Sequence, residues 1–205
     1  MNRKRTSANK ILLSAIIFCS PLISSQAWGV YAQSIHQFNP GDPVWPDAPI
    51  ENMLGAPDIG YNWRECQGSI GHNGSVVVDM GAGGIYDVPG DDIFLWFGGF
   101  SSTFEVVEGL RVFASSDDFS YFLVGELPKG DTIDAPVPLF TRAMDLGASG
   151  LSQARYLMIA DTGTDEQYNG LELNAVEGIP EPATVVLLTI GAVMLRRKRR
   201  FFEKI

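Results

Sequence analysis

Cysteine, histidine and internal positive charge are all scarce in this 205-residue chain, and each scarcity removes a class of explanation. There are two cysteines, Cys19 and Cys66, and two histidines, His36 and His72. A disulfide framework or a zinc centre needs more than that, so stability must come from a packed core, a hard cation or both. His36 sits in a Pro-rich segment and His72 in a Gly-rich one, which leaves a Ser–His–acid relay without a positioned imidazole. No G-x-S-x-G elbow rescues it, because Gly147-Ala148-Ser149-Gly150-Leu151 fails at its last position. Gly81-Ala82-Gly83-Gly84 lacks the spacing and the following helix of a phosphate loop. A non-enzymatic protein is the reading these absences favour. A weak extracellular hydrolase built on paired carboxylates is the remaining catalytic alternative.

Positive charge is missing from the middle. Of 15 Lys and Arg, four (Arg3, Lys4, Arg5 and Lys10) lie in the first ten residues and six lie beyond Ile179. Arg64, Arg111, Lys129, Arg142 and Arg155 remain, against all but two of the 24 acidic residues, so residues 28–179 carry a net charge near −17. Nucleic acid is excluded as a partner, since no basic patch can be assembled. An acidic surface keeps a protein soluble and attracts divalent cations; both readings stand.

Long apolar runs occur only at the two ends. The basic cluster followed by apolar Ile11–Ile23 and then small residues is the layout of a secretory signal peptide. Cleavage fits after Ala27, with Ser25 at minus three, or after Ala32, with Val30 at minus three. At the other end Pro180-Glu181-Pro182 precedes an apolar run, Ala183–Leu195, and then Arg196-Arg197-Lys198-Arg199-Arg200. Thirteen residues at about 1.5 Å each give roughly 20 Å of transmembrane helix, short of a roughly 30 Å hydrocarbon core. Snorkelling arginines and local thinning make a marginal span feasible. The positive-inside bias holds the basic cluster in the cytoplasm and puts the middle of the chain outside the inner membrane. This ending resembles the PEP-CTERM sorting signal of Gram-negative bacteria. The resemblance implies cleavage by an exosortase-type membrane protease near Pro-Glu-Pro, with transient anchoring in the inner membrane and transfer to the cell surface or extracellular matrix.

Between the ends the pattern is β. Short runs rich in β-branched and aromatic residues alternate with Gly, Pro and Asp, and no useful helical period appears. Strands are predicted over 75–80, 93–97, 104–107, 110–115, 120–124, 154–160 and 171–177. Residues 93–97 are apolar on both faces and 155–159 nearly so; both read as central strands, with Trp96 and Tyr156 in the core. The segment 33–50, with Pro40, Pro43, Pro46 and Pro49, reads as an irregular lead-in. Seven or more strands with few helices predict a single all-β sandwich domain over residues 33–179, bounded by a signal peptide (1–27) and a sorting segment (180–205).

Six pieces in order extend this. Asn52-Met53-Leu54-Gly55-Ala56-Pro57-Asp58, Ser75–Gly81, Asp87–Trp96, Ala114–Phe119, Ala154–Asp161 and Gly170–Glu177 resemble successive motifs of discoidin-like, galactose-binding-type domains. The resemblance implies an eight-stranded jelly roll. Phe97 stands where the family has a glutamate and Asn174 where it has an aspartate, which weakens a carried-over calcium site.

Calcium takes six to eight oxygens from carboxylates and carbonyls. Asp87, Asp91 and Asp92 flank a Pro-Gly turn, positioned to meet Asp58 or the strand carrying Glu172 and Glu177. The competing reading is that these aspartates cap turns and bond local amides. Asp161 to Glu172 matches three EF-hand positions but has Glu166 where glycine is required, so an EF-hand is excluded. Trp45, Tyr61, Trp63 and Tyr168 fall in predicted loops, where aromatic faces stack on sugar rings or simply pack the domain rim. The expectation is therefore a carbohydrate- or exopolysaccharide-binding module with structural calcium. A purely structural biofilm or envelope protein is the alternative.

Overall fold

The computed structural model describes residues 29–58, 66–98, 103–105, 109–129, 132–134, 139–163 and 171–180. The signal segment and the tail from Glu181 onward, with its expected helix and basic cluster, lie outside the described residues. The chain is all-β. Its strands, in order, are β1 (Val30–Tyr31), β2 (Ser34–Asn39), β3 (Gly68–Gly71), β4 (Ser75–Asp79) and β5 (Ile85–Tyr86). They continue as β6 (Ile93–Gly98), β7 (Thr103–Glu105), β8 (Leu110–Ser115), β9 (Phe122–Leu127) and β10 (Thr132–Asp134). The last five are β11 (Leu139–Met144), β12 (Gln153–Ala154), β13 (Tyr156–Asp161), β14 (Leu171–Leu173) and β15 (Ala175–Gly178). Two short 3-10 turns, Ile50–Met53 and Leu146–Ser149, complete the described elements. No helix among the described residues is long and apolar enough to cross a membrane.

Two sheets carry the architecture. One has the order β1-β15-β6-β11 and the other β2-β4-β13-β8-β9; three two-stranded ladders (β10-β7, β12-β5, β14-β3) extend them. The described pairings are antiparallel, which suits strands buried on one face. Alternation sets that face. Along β13, Leu157 and Ile159 are fully buried while Tyr156, Met158 and Ala160 are half-buried. Along β6, Ile93, Leu95 and Phe97 are buried. These side chains join Val76, Val78, Val112, Phe140 and Val176 in one hydrophobic core fed by both sheets.

The central strands expected over 93–97 and 155–159 are central: β6 lies between β15 and β11, and β13 between β4 and β8. Two predicted strands prove to be corners. The chain leaves the β12–β5 ladder at Arg155 and enters the five-stranded sheet, and it leaves the β14–β3 ladder at Asn174 and enters the four-stranded one. The lead-in is only partly irregular, because Ser34–Asn39 pairs with β4 through a bulge at His36. Trp96 and Tyr156 are not core residues. Both point away from it, half-buried, keeping a polar atom near the surface: Trp96 Nε1 donates to Glu177 Oε2 at 2.9 Å. Tyr156 stacks against His36, with ring centroids 4.9 Å apart, and lies under the Arg155 guanidinium.

Candidate functional site

Register brings three aspartates together. Met144, the last residue of β11, pairs with Ile93, the first of β6, so Asp145 and Asp92 lie at the same end of adjacent strands. Asp87 follows β5, and its N–H is held by the Ser152 carbonyl at 3.1 Å. One carboxylate oxygen from each of Asp87, Asp92 and Asp145 lies within 4.8 Å of the others. Asp92 is buried; Asp87 and Asp145 are exposed.

Local hydrogen bonds fix the arrangement. Asp92 Oδ1 accepts from the Val88 N–H at 3.0 Å, closing the Val88–Asp91 turn, in which Gly90 takes a φ of 115°. Asp92 Oδ2 accepts from the Leu146 N–H at 3.1 Å. Asp145 caps the second 3-10 turn by accepting from the Gly147 N–H at 2.8 Å. A methyl group at position 147 would stand 2.9 Å from Asp145 Oδ1 and 3.1 Å from Asp87 Oδ1, so an alanine there would push on these carboxylates.

The electrostatics are unfavourable to a bare anion. Burial pushes the Asp92 carboxyl above its ordinary range; the Val88 and Leu146 amides oppose this, and the Asp87 and Asp145 charges add to it. A hard divalent cation would relieve both the burial penalty and the repulsion. Three carboxylates, two of them open to water, form an all-oxygen donor set that suits calcium or magnesium and not a thiophilic metal.

The other residues expected at a cation site are elsewhere. Asp91 is exposed on the turn and outside the trio. Asp58 is also exposed, and its backbone is clamped by Asn174: Nδ2 donates to the Asp58 carbonyl (3.0 Å) and the Cys66 carbonyl (2.9 Å), while Oδ1 accepts the Asp58 N–H (2.9 Å). Asn174 thus does with an amide what no unprotonated aspartate could, since two carbonyls need a donor. Glu172 pairs across β14–β3 with Ser69, and Glu177 binds Trp96. Asp161 is buried and accepts from the Gly163 and Leu171 amides.

Asp145 was not anticipated. Its signal was a capping aspartate before Leu146-Gly147-Ala148-Ser149-Gly150, legible only once β11 is recognised and paired with β6. Among the sugar-stacking candidates, Trp45 is half-buried, with its N–H 3.3 Å from Ser69 Oγ. Tyr61, Trp63 and Tyr168 lie outside the described residues, as does the sorting motif except Pro180.

No family model matches this chain, and no curated protein matches it. Among solved structures, a family 89 glycoside hydrolase from Clostridium perfringens in complex with 2-acetamido-1,2-dideoxynojirmycin is similar at 14% identity and a TM-score of 0.37. That match covers 53% of this chain and 10% of the hydrolase, so the chain spans about a tenth of that protein's length. The C-terminal domain of a chitobiase from Bacteroides fragilis is similar at 16% identity and a TM-score of 0.39, over 72% of this chain and 93% of that domain.

Proposed function

We propose that this chain is an exported surface or matrix protein whose single β-sandwich, of jelly-roll type, is a non-catalytic module for carbohydrate or exopolysaccharide. In this reading the domain is sorted by an exosortase-type protease acting near Pro180-Glu181-Pro182. The observation that carries the export reading is the arrangement of the chain itself: an all-β domain bounded on one side by a signal-type segment and on the other by the Pro-Glu-Pro tail. The pairing of β1 with β15 supports it, because entry and exit of the domain are then adjacent, with Val30 opposite Gly178.

Carbohydrate binding rests on exposed acidic loops that can accept hydroxyl hydrogen bonds, together with the loop aromatics Trp45, Tyr61, Trp63 and Tyr168. Calcium is assigned to Asp87, Asp92 and Asp145, where it would neutralise the charges that oppose one another and lock the turn beside β6. Binding of the purified chain to a polysaccharide array at millimolar calcium tests the ligand class, and uniform absence of binding defeats it. Removing calcium with a chelator tests the ion. Saturation at 100 times the dissociation constant contributes about 2.7 kcal/mol, so melting should fall by several degrees in wild type and stay unchanged in Asp145→Asn.

The purely structural reading is favoured by one specific observation: both Asp92 oxygens already hold backbone amides. A chelator-insensitive melting point together with a blank array would establish it.

A further inference from the structure

We infer that the exported chain is cut after Ala27 and begins at Trp28, not after Ala32. This rests on the export reading above and specifies its processing site. The two positions are equivalent in sequence, since each offers small or permitted residues at minus one and minus three. They are not equivalent in the fold. Val30 and Tyr31 form β1 and pair with Gly178 and Glu177 of β15. Ala32 is 2% exposed and belongs to the core; its N–H donates to the Val176 carbonyl at 3.0 Å and its carbonyl accepts from Gly55 at 3.1 Å.

Side chains seal the same edge. Partial burial raises the Tyr31 hydroxyl pKa, and the Glu177 charge and hydrogen bond raise it further, so Tyr31 and Glu177 are partners. Gly29 lies against the Glu177 side chain, so closely that a Cβ there would overlap it.

A cut after Ala32 deletes all of this. The Val176 carbonyl and the Gly55 amide lose their partners, β15 becomes an open edge strand, and the core loses a buried methyl. The new ammonium would sit on Gln33, just before β2, where its backbone nitrogen is bonded to the Asp79 carbonyl at 2.9 Å. A cut after Ala27 leaves one residue before Gly29 and removes none of these contacts. Signal peptidase acts on the extended chain, so the fold does not steer the enzyme. It decides which product survives, because a domain lacking β1 spends more time unfolded and is cleared by proteases.

The full chain, carrying its own signal, is expressed in a Gram-negative host, and the first residue of the accumulated product is read by mass spectrometry. Trp28 is expected. A product starting at Gln33 overturns the inference and leaves the export reading intact, whereas retention of the uncut leader overturns both. As a second arm, Ala27→Leu changes no residue of the sheets and should lower the yield of product starting at Trp28 at least tenfold relative to wild type. Unchanged processing of that variant would show that position 27 is not used.

Discussion

At the scale of single residues, three polar side chains decide more than their size suggests. Asn174 occupies the corner between β14 and β15, where three hydrogen bonds tie the chain at Asp58 and Cys66 to the sheets. Asn174→Ala removes the donor to the buried Cys66 carbonyl and should cost about 1–3 kcal/mol, measured by urea unfolding. Asp79 and Asp92 titrate with opposite consequences. The two hydrogen bonds from Arg155 hold the Asp79 carboxyl below its ordinary range, so its contribution to stability is present above that range and is lost as pH falls through the lowered value. Asp92, raised by burial, works the other way: the folded state holds its proton longer, so stability declines as pH rises through the carboxylate range. Asp79→Asn should therefore flatten the acid limb of the stability curve, with its deficit shrinking as pH falls through the lowered value. A deficit that grew toward acid would contradict the pairing.

At the scale of elements, the strands carry the stability and the corners carry the specificity. Leu95 lies in the middle of β6, fully buried between two neighbouring strands, and Leu95→Ala should cost about 2–5 kcal/mol. Exposed Arg111, paired with Glu126 across β8–β9, should cost under about 1 kcal/mol when replaced by alanine. Strands β4, β6, β8 and β13 were legible in the sequence because continuous or alternating apolar runs with β-branched residues mark a buried face. Strand β2 was not, because the prolines that follow it, and its single half-buried residue Ile35, give it no apolar alternation. Strand β11 was missed too, with Arg142 in its centre and no boundary signal before Asp145. Two of the three carboxylates of the candidate site were legible from local sequence. Asp87 and Asp92 sit in one turn and could be read locally, whereas Asp145 arrives through the pairing of Met144 with Ile93, 51 residues apart, that no local pattern reveals. The corners at Arg155 and Asn174 were hidden because an apolar run reads the same whether or not it changes sheet.

At the scale of the whole molecule, the proposal is a separation of roles along one chain: leader, acidic β domain and disposable tail. A domain near −17 with five fixed cations gains nothing from a polyanion. Its β1–β15 closure means that the domain completes only when its last strand has been translocated, just ahead of Pro180. Replacing Pro180-Glu181-Pro182 by alanines should leave melting of the domain unchanged within about 0.5 kcal/mol and shift the protein from the surface fraction to the inner membrane. The account's central claim is that the tail is removed on the way out. Intact mass of the surface-exposed protein measures that most directly. The account predicts a product ending near Pro-Glu-Pro and lacking the apolar run and the basic cluster 196–200. A surface form that still ends at Ile205 would contradict it.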